Sequence, residues 1–118
     1  MTPEMVLLMA SLGLGGVFIL IAIPLARRKV SPNKWYGFRI PATLSNEVVW
    51  YETNAQVGKD MMKLGALLMA GGILFYFVDV HFFGKVMALL ILLEVGIMVL
   101  LARGWHLANR LIETKEAD

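Results

Sequence analysis

The chain reads as an all-α integral membrane protein, with three transmembrane helices and an amphipathic interfacial helix before the second. Three observations point there. Of its 118 residues, 58% are apolar and only 17% charged, against roughly 45–50% and 25% in soluble domains. Its mean hydropathy is +0.70, more apolar material than a soluble domain this small keeps out of water. The apolar residues also gather into long runs flanked by basic segments. The same composition excludes a disordered chain. The absence of cysteine excludes a disulfide scaffold, thiol catalysis and iron–sulfur ligation. The length predicts a single domain, residues 1–118.

The first span is predicted at about 5–26, where 22 uncharged residues suffice to cross a hydrocarbon core of about 30 Å. Glu4 precedes this run and Arg27-Arg28-Lys29 follow it at once, which reads as stop-transfer and not as a cleaved signal peptide. The second span is predicted at about 61–78. Its apolar stretch from Leu64 to Val78 is extended by Met61, Met62 and the aliphatic stem of Lys63. The third, about 86–102, is apolar throughout except for Glu94.

Lysine and arginine counts orient the spans. The segment from Arg27 to Lys63, ending at the start of the second span, holds seven: Arg27, Arg28, Lys29, Lys34, Arg39, Lys59 and Lys63. Arg103, Arg110 and Lys115 follow the third span, whereas the Asp79–Lys85 loop holds only Lys85 and the residues before the first span hold none. The expected topology has the N-terminus outside and the C-terminus in the cytoplasm. Trp105 and the Trp35-Tyr36 pair fall at the basic interface, with Tyr76, Phe77, Phe82 and Phe83 at the other.

The segment 27–60 is patterned. Ser31-Pro32-Asn33, Gly37 and Pro41 are turn chemistry. Thr43, Ser45 and Asn46 offer helix N-caps, and Glu47 suits the positive end of a helix. Leu44, Val48, Tyr51, Ala55, Gly58 and Met62 then recur at steps of three and four, with Ser45, Glu52, Gln56 and Lys59 opposite. This predicts an amphipathic helix at the cytoplasmic interface, running into the second span. The tail 112–118 is polar and expected to fray.

Few residues carry catalytic signatures. His81 and His106 are expected at opposite membrane faces and share no metal, so no metal site and no cofactor is predicted. Ser11, Gly13, Gly15 and Gly16 in the first span, and Ala66, Ala70, Gly71 and Gly72 in the second, read as small residues for close helix packing. Glu94 is the one charge deep in a span, a candidate intramembrane polar site. Ionised carboxylates there cost roughly 2.5–3.5 kcal/mol. Lys63 and Lys85 are its nearest candidate partners.

The densest polar cluster comprises Asn33, Gly37, Arg39, Pro41, Thr43, Asn46, Trp50, Asn54 and Gly58. Arg39 is a planar five-donor fork in a non-helical turn. It suits an external phosphate or carboxylate, or acceptors inside the protein such as Asn46, Asn54 and turn carbonyls. Trp50 and Asn54, at i and i+4, share a helix face.

Asn33-x3-Gly37-x-Arg39-x-Pro41-x-Thr43, followed by Trp50-x3-Asn54-x3-Gly58, resembles the signature of the SdpI family of small bacterial membrane proteins. The resemblance implies a multi-pass protein of the bacterial cytoplasmic membrane that confers immunity to a membrane-active peptide toxin by binding and not by catalysis. It implies importance, without a defined chemical role, for Asn33, Gly37, Arg39, Pro41, Thr43, Trp50 and Asn54. Membrane lipids and a secreted peptide toxin are the expected partners, with no nucleic acid. Three spans enclose little interior, which leaves room for a homo-oligomer. Two other classes remain open: a transporter or channel subunit using Glu94, and a lipid-headgroup-binding protein using Arg39.

Overall fold

The computed structural model describes residues 1–117. Four helices follow one another: α1 (Pro3–Ala26), α2 (Pro41–Ser45), α3 (Glu47–Phe77) and α4 (Phe82–Ala117), with no strand among the described residues. The molecule is a narrow bundle, 57 × 22 × 19 Å. Three helices, α1, α3 and α4, are long and apolar enough to cross a membrane.

Local chemistry sets each helix start. The Thr2 hydroxyl accepts the Met5 N–H at 3.1 Å, and Pro3 occupies the first turn of α1, where its missing N–H costs nothing. The Asn46 carboxamide accepts from Val48 and Val49 at the start of α3. His81 does the same for α4, its Nδ1 taking the Phe83 N–H at 3.2 Å. Helix α1 stops in a left-handed turn: Arg28 has φ +56°, Arg28 N–H reaches Leu25 O, and Lys29 N–H reaches Pro24 O. This is the αL stop usually made by glycine, at a conformational cost of about 1–2 kcal/mol for any other residue.

The helices pack through two adjacent seven-residue ladders on α3. Gly58, Gly65 and Gly72 face α1. A methyl group added to Gly58 would stand 2.7 Å from Ala26 N, one on Gly65 would meet the Gly15 carbonyl, and one on Gly72 would meet Ser11. One position earlier, Val57, Leu64 and Gly71 face Gly104, Gly96 and Leu89 of α4. A period of seven is the spacing that keeps a seam on one side of a helix. It places α3 at the centre, with α1 and α4 antiparallel on either flank.

Several expectations need correction. The helix expected before the second span does run into it, but as one continuous element and not as a separate helix among the described residues: residues 47–60 are the first turns of α3, about 46 Å long at 1.5 Å per residue and longer than a hydrocarbon core. The buried residues there are Val49, Trp50, Thr53, Asn54, Ala55, Val57 and Gly58, so Ala55 and Gly58 of the predicted stripe are buried while its Leu44 and Val48 lie half exposed. The packed face is rotated from the stripe because two polar side chains, Thr53 and Asn54, belong to it. Ala66 and Ala70 are exposed, and a Cβ added at Gly13 or Gly16 would meet nothing within 4 Å outside the helix's own turns. The 79–85 loop is shorter than expected, since α4 starts at Phe82, and Lys85 is 95% buried in its first turn. Residues 112–117 are helical, because Leu111 and Ile112 pack on a cluster of Ala42, Val49 and Ala108; Asp118 lies outside the described residues.

The ladder predicts a contrast between two glycines. Gly65→Ala forces α1 and α3 apart and costs about 1–3 kcal/mol, lowering the melting temperature in detergent. Gly13→Ala meets open space and stays within about 0.5 kcal/mol of wild type. Equal melting temperatures for the two variants would remove the glycine ladder as the basis of the α1–α3 contact.

Candidate functional site: a side-chain-pinned loop at the basic end

The ends of α1, α3 and α4 that meet at Ala26, Gly58 and Gly104 carry most of the chain's cations, and the motif lies there. Residues 29–40 form no helix or strand. Side chains supply what secondary structure does not. The Asn33 Oδ1 accepts both the Trp35 and Tyr36 N–H groups, at 2.8 and 2.7 Å, while its Nδ2 donates to the Ser31 and Tyr36 carbonyls. The Asn54 Oδ1 accepts the Phe38 N–H at 2.6 Å. The Thr43 hydroxyl accepts the Ile40 N–H at 3.0 Å and lies the same distance from the Phe38 and Ile40 carbonyls. Trp50 Nε1 donates to the Val30 carbonyl at 2.8 Å. Side-chain to main-chain bonds of this kind are how an irregular segment meets its hydrogen-bond requirement.

Gly37 is required twice over. Its φ is +118°, and an added Cβ would stand 2.9 Å from Asn54 Oδ1 and 3.0 Å from the Trp50 ring. Trp50 is fully buried and Asn54 is 98% buried, so neither can retreat. Pro41 opens α2 at its first turn. Gly58 allows α1 and α3 to meet directly behind the loop.

Two residues outside the motif, Tyr36, expected only as an interfacial aromatic, and Phe38, to which the sequence assigns no role, complete the loop's attachment. The Tyr36 hydroxyl donates to the Ile21 carbonyl on α1. Partial burial raises its pKa above the ordinary value of 10.0. The Phe38 ring lies against Gly104 on α4, where an added Cβ would stand 3.1–3.2 Å from it. The loop is therefore a wedge, held by α1 through Tyr36, by α3 through Trp50 and Asn54, and by α4 through Phe38. A crevice of about 230 Å³ lies beneath it, lined by Ile21, Leu25, Phe38, Val57, Met61 and Leu100.

Arg39 differs from the rest of the cluster. It is exposed and makes no hydrogen bond or ion pair among the described residues. The acceptors considered for it inside the protein are engaged: Asn46 caps α3, and Asn54 holds Phe38. Lys34 and Trp35 are exposed in the same loop, Trp35 at 91%. Glu94 stands on the outer face of α4, paired with neither Lys63 nor Lys85. His81 and His106 are some 25 residues apart, about 37 Å along a helix. Among the described residues no group of His, Asp or Glu has the arrangement of a metal site.

The pinned loop predicts a selective failure. Asn54→Ala removes the Phe38 acceptor and leaves a part-buried N–H unpaired, a loss of about 1 kcal/mol or more. Trypsin should then cut after Lys34 or Arg39 roughly tenfold faster or more, with the helical circular dichroism retained. Unchanged cleavage in a folded Asn54→Ala protein would show that this bond does not hold the loop.

No curated protein and no solved structure matches the chain. The family model described as the SdpI/YfhL protein family matches residues 29–101, from the first residue of the wedge loop to the last turns of the third apolar run. That is more than half of the 118 residues, and the matched region contains every motif residue of the pinned loop. The chain belongs to the SdpI/YfhL protein family.

Proposed function

We propose that this protein confers immunity to a membrane-active peptide toxin, and that it acts by binding the toxin without catalysis. Family membership supports this reading at the level of an SdpI-like membrane protein. The observation that carries it to a residue is the contrast within the motif. Asn33, Thr43, Trp50 and Asn54 are all occupied by contacts inside the chain, and Gly37 is fixed by backbone geometry. Arg39 alone of the polar motif side chains keeps its donors free of the protein. A guanidinium held on a rigid loop, with neighbouring Lys34 and the exposed Trp35 ring, suits a peptide carboxylate at the polar boundary of the membrane.

The basic end faces the cytoplasm in this proposal, following the lysine and arginine bias. The toxin is then met at the inner interface, after it has entered the bilayer. Neither lid nor chemistry is needed, since a bound toxin is withdrawn from assembly in the membrane.

Arg39→Ala should abolish protection in a sensitive bacterium expressing the protein and challenged with a panel of membrane-active peptide bacteriocins. Its melting temperature should stay at the wild-type value, because an exposed, unpartnered side chain contributes within about 0.5 kcal/mol. Arg39→Lys keeps the charge but loses the planar fork and should lose most of the protection. Wild-type protection by Arg39→Ala would refute the reading. Topology is checked separately, in a chain that has no cysteine of its own. Cysteines placed at Thr2 and Gly84 should react with an impermeant maleimide in intact cells, and one at Thr114 should not. The reverse labelling would put the loop outside.

A further inference from the structure

A second feature lies on the same end of the bundle but on another face, away from the pinned loop. Between α3 and α4 runs an apolar trough of about 310 Å³, walled by Leu64, Leu67, Leu92, Val95 and Val99. At its basic end it shares Asp60, Lys63 and Arg103 with a polar cleft of about 380 Å³. The cleft is lined by Arg28, Lys59, Lys63 and Arg103, with Glu52 and Asp60 as the acids. Both acids are already paired. Arg28 forks onto Glu52 at 3.1 and 3.2 Å, and Arg103 holds Asp60 at 2.8 Å. Lys59 and Lys63 have no acidic partner among the described residues and are exposed. A cationic pocket therefore opens directly into an apolar groove.

We propose that this composite groove binds one anionic glycerophospholipid, its phosphate at Lys59 and Lys63 and an acyl chain along the α3–α4 trough. Two features of the site favour this occupant. The free charge is positive and sits at the polar end only, so the site is complementary to a molecule with an anionic head and an apolar tail. Arg103 and Leu92, at the two ends of the trough, stand 11 residues apart on α4, about 16 Å, which matches one leaflet of a hydrocarbon core some 30 Å thick. A soluble anion fills the cleft but leaves the trough empty. The two arginine–carboxylate pairs flank the headgroup and link the C-terminal turn of α1 and helix α4 to α3 beside it. This site does not rest on the immunity reading, and it uses neither Arg39 nor any residue of the loop.

The full chain, purified in detergent, is titrated with phosphatidylglycerol and with phosphatidylcholine of identical acyl chains, and retained lipid is counted by native mass spectrometry. Each lysine beside an anionic headgroup contributes about a fivefold preference. The wild type should therefore retain phosphatidylglycerol roughly 25-fold better than phosphatidylcholine. The Lys59→Gln/Lys63→Gln double variant should lose that preference to within about twofold. Both positions are exposed, so the fold survives the change. Val95→Trp leaves the lysines intact and fills the trough, and should lower phosphatidylglycerol retention at least fivefold. Lys115→Gln, an exposed cation near the end of α4 that lines neither cavity, should leave it unchanged. The proposal is overturned if the wild type does not discriminate between the lipids, if the preference survives the double lysine change, or if Val95→Trp retains lipid normally. Displacement of the lipid by millimolar glycerol 3-phosphate would also overturn it, by showing a site for a soluble anion.

Discussion

The hydrogen bond from the Phe38 N–H to the buried Asn54 carboxamide joins two levels of this structure. On one side is the α1–α3 interface, where Gly58 and Gly65 bring backbones into contact. On the other is a loop that carries no secondary structure and would otherwise leave its amides to water. Asn54 stands one helical turn before Gly58 and on the same packed face of α3. Its position is set by the close approach of the helices, and the loop's position is set by Asn54. Gly37 follows from this geometry: with the carboxamide and the Trp50 ring fixed in place, only a residue without a side chain passes between them at φ +118°. The cluster reads as one device in which each member constrains the next.

That device explains how so small a protein presents a defined surface. A three-helix bundle with one central helix has little interior, and its exposed apolar faces suit lipid. Precision at the polar end has to come from elsewhere, and here it comes from side chains that substitute for backbone partners. A rigid loop loses little conformational entropy on binding, so an arginine mounted on it is well suited to recognition. The basic cleft on the α3–α4 face uses the other cations of the same end, with Arg28–Glu52 and Arg103–Asp60 as its frame. One end of the bundle thus carries two distinct polar surfaces: a loop whose tip faces outward, and a cleft that continues into the apolar groove.

The helices of this fold were legible because hydropathy and charge report directly on membrane spans. Asn46 was legible as an N-cap, since its side chain acts locally. The seven-residue ladders were not. Gly58, Gly65 and Gly72 carry no hydropathy signal; small size points to Ser11, Gly15 and Gly72, which do pack, but equally to Ala66 and Ala70, which face outward, and not to Gly65. The packed face of α3 is only partly legible for a related reason: Thr53 and Asn54 are polar and buried, so apolar periodicity finds Ala55 and Gly58 but also points to the half-exposed Val48 and Leu44. The Thr53 hydroxyl has no hydrogen-bond partner among the described residues, and nothing in the sequence marks it. The motif itself was visible as a cluster, but the division within it was not. Whether Arg39 turned inward to Asn46 and Asn54 depended on whether those oxygens were taken, and both are taken by main-chain amides that only the folded chain brings to them.

Residue-resolved hydrogen exchange tests most directly whether side chains hold this loop. The amides of Trp35, Tyr36, Phe38 and Ile40 each donate to a side-chain oxygen, from Asn33, Asn54 or Thr43. They should exchange far more slowly than an unstructured segment of the same sequence, despite lying outside any helix, and the Phe38 amide should be among the slowest of the four because its acceptor is buried. Exchange of all four at the rate of a free peptide, in a protein whose helical amides remain protected, would contradict the account.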